Sequence, residues 1–202
     1  KSTAVGFQAL TTQNFTTATD TFNVGVGYNA GVAVTTGVRN TLIGGLAGDS
    51  LTEGDDNIAL GYNALSTEDT GSKSIAIGFE ALKTQNNAAS NYNVAVGHAA
   101  GTAVTTGILN TLIGGLAGDA MTDADENVAV GYNALTANLK GNRTVAIGNG
   151  ALMAQTFSSI TDSYNTAVGH FAGGSVTTAV QNTLIGGLAG DAITTGNYNT
   201  WV

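Results

Sequence analysis

Ten consecutive residues occur three times unchanged: Asn40-Thr41-Leu42-Ile43-Gly44-Gly45-Leu46-Ala47-Gly48-Asp49, the same run from Asn110 to Asp119, and again from Asn182 to Asp191. Between these copies a weaker skeleton recurs, Asn-x-small-aliphatic-Gly-x-x-Ala. Its anchor glycines are Gly6, Gly27, Gly44, Gly61, Gly78, Gly97, Gly114, Gly131, Gly148, Gly169 and Gly186. The steps between them are 21, 17, 17, 17, 19, 17, 17, 17, 21 and 17 residues, so the unit is a turn of 17 residues and four turns make a super-repeat of 70 to 72. A fixed period of this kind restricts the chain to a stacked, quasi-one-dimensional architecture in which each unit buries its apolar side against its neighbours.

Composition supports that restriction. A chain with 29 glycines, no proline and only 10% charged residues is unlike an ordinary globule, yet 43% of it is apolar and periodically placed, which excludes disorder. A net charge of −8 argues against an electrostatic grip on nucleic acid or on an anionic membrane. No apolar run approaches the ~20 residues of a membrane-spanning helix, so no membrane insertion is expected in this segment. With no cysteine, an extracellular chain of this kind needs another stabiliser, such as oligomerisation.

Within each turn the residue before the anchor glycine is Val, Ile or Leu, and the residue three before it is Thr, Val or Ile. Alternation of such residues with Ala or Gly is strand chemistry of period two. Ala follows three residues after every anchor, from Ala9 to Ala189, and predicts a second short strand with room for little more than a methyl group. Ten residues after the anchor a further Gly (37, 54, 71, 107, 141, 196) marks a polar corner, which implies either positive φ or a tight backbone approach. Helical periodicity is absent.

Four residues before the anchor stands Asn in eight of the eleven turns, including Asn40, Asn110 and Asn182. Stacking predicts an amide ladder there, a device that stabilises stacked strands; a row of ligand-binding amides is the functional alternative. The three long steps follow Gly6, Gly78 and Gly148, and their inserts bring in Phe15 and Phe22, Tyr92, and Phe157 and Tyr164. Insertions in a solenoid map to loops on one face, often the binding face, so these five aromatics are candidate ligand-binding residues. The competing reading is that they cover the core or pack between subunits.

No catalytic constellation emerges. His98 and His170 occupy one repeat position, just after the anchor, where other turns hold Phe7, Tyr28, Tyr62, Phe79 and Tyr132. Four turns separate them, roughly 19 Å at ~4.8 Å per strand spacing, so they cannot share a metal, and the column reads as a packing position. The Gly44–Asp49 run lacks the Lys and Ser/Thr of a phosphate loop and the spacing of a calcium-binding nonapeptide. The acidic clusters Glu53, Asp55, Asp56 and Asp123, Asp125, Glu126 align across the super-repeat and offer oxygen ligands; a solvated corner is the simpler reading. No cofactor, no metal site and no enzymatic activity are expected.

Lys1 to Gly6 aligns with Lys73 to Gly78, and Asn199-Thr200-Trp201-Val202 opens a further turn, which predicts that the sequence is a fragment of a longer fibre. Segments such as Asn127-Val128-Ala129-Val130-Gly131-Tyr132-Asn133-Ala134 and Ser74-Ile75-Ala76-Ile77-Gly78 resemble the head repeats of YadA-like trimeric autotransporter adhesins, and similar repeats occur in bacteriophage tail fibres. The resemblance covers every turn, although the family's turn is nearer fourteen residues than seventeen. It implies an all-β, left-handed parallel β-roll, a homotrimer, an extracellular place on a cell surface or a virion tail fibre, and attachment to a host cell-surface glycan or protein receptor. A spacer shaft whose binding tip lies elsewhere is the alternative. Ice binding is an outside reading, prompted by paired threonines, but those pairs lie in corners beside Gly rather than in strands.

Overall fold

The computed structural model describes residues 1–202 and contains only strands and turns. The strands are β1 (Thr3–Val5), β2 (Val24–Val26), β3 (Thr41–Ile43), β4 (Ile58–Leu60), β5 (Ile75–Ile77), β6 (Val94–Val96), β7 (Thr111–Ile113), β8 (Val128–Val130), β9 (Gly141–Asn142), β10 (Val145–Ile147), β11 (Thr161–Asp162), β12 (Thr166–Val168), β13 (Thr183–Ile185) and β14 (Thr200–Trp201). All but β9 and β11 form one 12-stranded sheet in sequence order, and every pairing is parallel. Thr41, Leu42 and Ile43 pair with Ile58, Ala59 and Leu60, so the register step is the repeat itself. The chain is therefore a continuous parallel β-solenoid in which each 17-residue turn adds one strand. β9 and β11 pair separately and connect one of the long inserts to the turn before it.

The expected second strand does not form. Residues after each anchor glycine run through consecutive turns, with positive φ two and four residues beyond the anchor, as at Leu46 (59°) and Gly48 (54°). A third left-handed column lies five residues before the anchor and includes Arg39, Tyr92 and Arg143. These three columns account for every non-glycine residue with positive φ in the chain. Single residues in this conformation are costly for L-amino acids, and here they are held by hydrogen bonds to adjacent turns. Leu46 N–H donates to Tyr28 O (2.9 Å) in the turn before, and Gly48 N–H donates to Ala64 O (3.0 Å) in the turn after. The segment pairs with both neighbours as a strand would, but through alternating handedness rather than extension.

The anchor glycine meets two constraints together. Gly114 has φ +133°, and a Cβ built there would lie 2.5 Å from the carbonyl oxygen of Gly131 in the next turn. The corner glycines, by contrast, have ordinary φ and are small because the following turn approaches: a Cβ on Gly37 would lie 2.5 Å from Gly54 O. Of the two explanations offered by the sequence, close approach is the one realised at the corners.

In each three-residue strand after the first, the middle residue is buried, lining a core of 29 residues dominated by Ala and Leu. The super-repeat has a packing origin. Where the strand centre is Leu, as at Leu42, Leu112 and Leu184, the position four after the anchor is Gly. Where the centre is Ala, as at Ala59 or Ala76, that position is Leu65 or Leu82, except at Ala95 and Ala167, where it is Gly101 and Gly173 beneath the leucine of the next turn. A Cβ on Gly31 would lie 2.5 Å from Leu42 Cδ1 and one on Gly48 would lie 2.8 Å from Leu42 Cδ2, so one leucine fills space left by two glycines. Volume is conserved across neighbouring turns, as a close-packed interior requires.

The Asn column is fully buried and forms a ladder, mostly through backbone groups. Asn40 N–H donates to Asn23 Oδ1 (2.8 Å), Asn57 N–H donates to Asn40 Oδ1 (2.9 Å), and Asn40 Nδ2 donates to Gly54 O (2.7 Å). Asn110 makes both contacts, and Asn182 N–H likewise donates to Asn165 Oδ1 (2.9 Å). This burial leaves the amides no ligand to meet. Where Ser74 or Thr144 replaces Asn, a buried glutamine reconnects the column: Gln85 Nε2 donates to Ser74 Oγ (2.9 Å) and Asn93 Nδ2 donates to Gln85 Oε1 (2.8 Å). Gln155 links Thr144 to Asn165 in the same way.

Candidate interaction face

Strand alternation extends beyond the three residues of each strand. Counting from the anchor glycine, positions −4 and −2 point inward, while −5, −3, −1 and +1 point outward. Positions −3 and −1 give two columns of Thr, Val, Ile and Leu along the whole sheet. All but four (Leu139, Ile160, Leu188 and Trp201) of the large hydrophobic side chains left exposed lie in the four outward columns. The result is one face about 20 Å wide and ~58 Å long, from ~3.3 Å per residue and ~4.8 Å per strand. Columns −3, −1 and +1 make a mainly apolar strip ~13 Å across, while column −5 mixes aromatics with charged residues such as Arg39, Asp56, Lys73, Glu126 and Arg143.

Column +1 forms one edge. It reads Phe7, Tyr28, Gly45, Tyr62 in the first four turns and Phe79, His98, Gly115, Tyr132 in the next. Phe7 stacks on Tyr28 with centroids 5.6 Å apart, Tyr62 on Phe79 at 5.7 Å, and Phe79 on His98 at 5.1 Å, all near parallel. The rings pack on each other, as a packing column should, yet its Phe and Tyr rings remain 44 to 64% exposed. His98 is one ring of this stack, whereas His170 lies edge-on to Phe171 at 4.6 Å.

Column −5 forms the other edge, and it gathers three of the five aromatics singled out by sequence. Phe22, Tyr92 and Tyr164 recur every fourth turn, each about half exposed (50 to 54%). A cation from the turn before covers each ring: Lys1 over Phe22 (5.7 Å), Lys73 over Tyr92 (5.1 Å) and Arg143 over Tyr164 (5.8 Å). Arg143 also bonds Glu126 Oε2 (3.1 Å) and the Tyr164 hydroxyl (3.2 Å), and acidic partners with the tyrosine hydroxyl hold its basicity above the ordinary guanidinium range. The other two aromatics lie elsewhere. Phe15 is half-buried in its insert, and Phe157 is buried at 6% exposure, lying against Gly141. Phe157 is therefore a cover for the core rather than a side chain presented to a ligand.

The acidic clusters are built into the corners. Asp55 Oδ1 accepts the Val38 N–H and Asp125 Oδ1 accepts the Ile108 N–H, both at 2.8 Å. Asp56 pairs with Arg39, Asp123 with Lys140 (3.3 Å) and Glu126 with Arg143. No three His, Cys, Asp or Glu side chains converge as metal ligands. The corner threonines are engaged too: Thr35 Oγ1 donates to Thr52 O (3.2 Å).

Asp49 is the exception. Its Oδ1 is buried without a partner, and burial raises its pKa. A carboxyl whose pKa is higher in the folded state favours folding while protonated, below ~3.9, and loses that contribution as pH rises through the folded value. Asp49→Asn cannot ionise, so it should melt higher than the parent at pH 7 and no higher at pH 3. Parallel thermal melts at the two pH values check this.

Comparison with family models, with curated proteins and with solved structures finds no match. No helix is long and apolar enough to cross a membrane.

Proposed function

We propose that this chain is a rigid segment of a non-enzymatic, extracellular attachment fibre, carried on a cell surface or a virion tail, that works as a homotrimer. One observation carries the reading: an apolar strip runs the full length of the outward sheet face. The strip, columns −3 to +1, spans about 750 Å² per chain, close to the ~800 Å² per partner of a standard stable interface. A slim solenoid with an Ala- and Gly-rich core has little buried area for its surface, and covering this face with further copies of itself compensates. The YadA-like resemblance supplies the number three and the role in attachment to a host glycan or protein receptor. Multi-angle light scattering on the purified chain should give three times the monomer mass; a monomer or a dimer at micromolar concentration overturns the trimer.

A spacer shaft is the second reading, favoured by the same regularity, since nearly all of the surface is corner and strand repeated without a pocket-like feature. Binding to host cells or a glycan array by the isolated segment supports attachment through this segment. Absence of binding, with the trimer intact, assigns it to spacing.

A further inference from the structure

Three glycines have no internal reason to be glycine. Gly45, Gly115 and Gly187 are the second glycine of each decapeptide copy, in column +1. Of the 29 glycines, they alone combine ordinary φ with a Cβ position no nearer than 3.4 Å to any other atom. At Gly45 and Gly115 that nearest atom is the Cδ2 of Tyr62 and Tyr132, an ordinary contact; Gly187 holds the same repeat position in the last full turn of this segment, with no following turn beside it. Elsewhere the column accepts Phe, Tyr, His and Asn, so the fold itself admits large side chains here.

Gly45 and Gly115 each leave a slot between ring-bearing turns, Tyr28 and Tyr62 in the first case and His98 and Tyr132 in the second; Gly187 repeats the position beside His170. Tyr28 and Tyr62 flank Gly45 two turns apart, ~9.6 Å by strand spacing. A flat ring in contact with both needs twice the ~3.5–4.0 Å carbon contact distance, so one ring fits between them. The three positions recur at 70 and 72 residues, every fourth turn. The opposite edge of the same face carries Phe22, Tyr92 and Tyr164, whose steps are also 70 and 72 residues.

We infer that the slots receive the aromatic side chains of the opposite edge from a second copy of this chain. The inference rests on the self-association proposed above and adds the contact that sets its register. Copies packed with parallel axes place column −5 of one beside column +1 of the next, a heterologous contact that closes into a ring. The two columns have the same period, so alignment of Phe22 with the Gly45 slot aligns Tyr92 with the Gly115 slot and brings Tyr164 beside Gly187. Each ring must climb one strand spacing along the axis, from its own turn to the turn of the slot. An aromatic ring inserted between two others gains stacking on both faces as well as burial.

Because the chain has no cysteine, the contact can be tested by crosslinking. Within one chain, Tyr92 and Gly115 stand on opposite edges, ~20 Å apart, far beyond the ~7 Å Cα limit for a disulfide. Oxidation of Tyr92→Cys/Gly115→Cys should therefore give covalent multimers on a denaturing gel, up to the ring size, and neither single variant should. Gly115→Phe should fold with the parent's melting profile as a separated chain and raise the dissociation constant of the assembly at least tenfold. Four results separate the possibilities. Assembly of normal mass without crosslinking in the double variant overturns the inference, as does self-crosslinking of Tyr92→Cys alone. So does Gly115→Phe assembling like the parent. A parent chain that is monomeric by light scattering overturns the self-association beneath it, and the slot contact falls with it.

Discussion

Gly114→Val is expected to lower the melting temperature of the solenoid far more than Asp119→Ala. The aspartate looks the more functional residue, but the structure places the constraint on the glycine. Gly114 sits at φ +133°, where a β-branched residue meets ~1–3 kcal/mol of backbone strain. Its new side chain would also begin 2.5 Å from Gly131 O, so the next turn must move. In a stacked array that displacement weakens both neighbouring interfaces. Asp119 contributes a side-chain acceptor to the Thr136 hydroxyl, while its backbone carbonyl, which accepts the Ala103 N–H at 3.0 Å, survives replacement. Loss of one such side-chain bond costs about 1 kcal/mol. Melting the two variants side by side decides the order, and equal loss would mean that Asp119 serves more than its corner.

Glu68→Leu should be the most damaging change outside the anchor column. Glu68 is a fully buried carboxylate at a position that in most ordinary turns is apolar, such as Val34, Leu51 or Met121. It lies beneath the insert of residues 85–92 and collects four N–H donors: Gly71 N (2.9 Å), Asn87 N (3.3 Å), Gln85 Nε2 (2.8 Å) and Asn91 Nδ2 (3.1 Å). Leucine matches the volume but removes the only acceptor for most of them, and each buried donor left alone costs ~1–3 kcal/mol. Removal of a buried charge recovers desolvation energy, which brings the expected loss to roughly 3–5 kcal/mol. Glu68→Gln keeps one oxygen and should fall between. Denaturant unfolding gives the order, and limited proteolysis should cut first within residues 85–92. Stability of Glu68→Leu equal to the parent would show that the insert is held by something else.

Much of this was legible in the residues. The Thr/Val-x-Val/Ile-Gly pattern located every strand of the main sheet, because period two with β-branched residues has one backbone solution. Ala three after the anchor marks a confined position, yet no strand forms there. Leu46 and Glu80 carry no turn signal of their own, and their left-handed φ is held by hydrogen bonds to the turn before, from Leu46 N–H to Tyr28 O and from Glu80 N–H to Tyr62 O, which no local propensity encodes. The Asn column was visible, but its repair by Gln85 and Gln155 was not, since those glutamines sit eleven residues from the Ser or Thr they serve. Among the insert aromatics, Phe22, Tyr92 and Tyr164 could be told from Phe157 by position: each stands five residues before an anchor, in an outward column.

The hydrogen bonds between turns run along the length of the rod. Tension applied to its ends is therefore borne by the turns in series, and the whole object is no stronger than its weakest junction. A junction that opens releases one turn of slack, ~17 residues at ~3.4 Å each, while its neighbours keep their own bonds. The solenoid should thus yield by paying out chain one turn at a time, absorbing a tug in steps where a rigid rod would break at once.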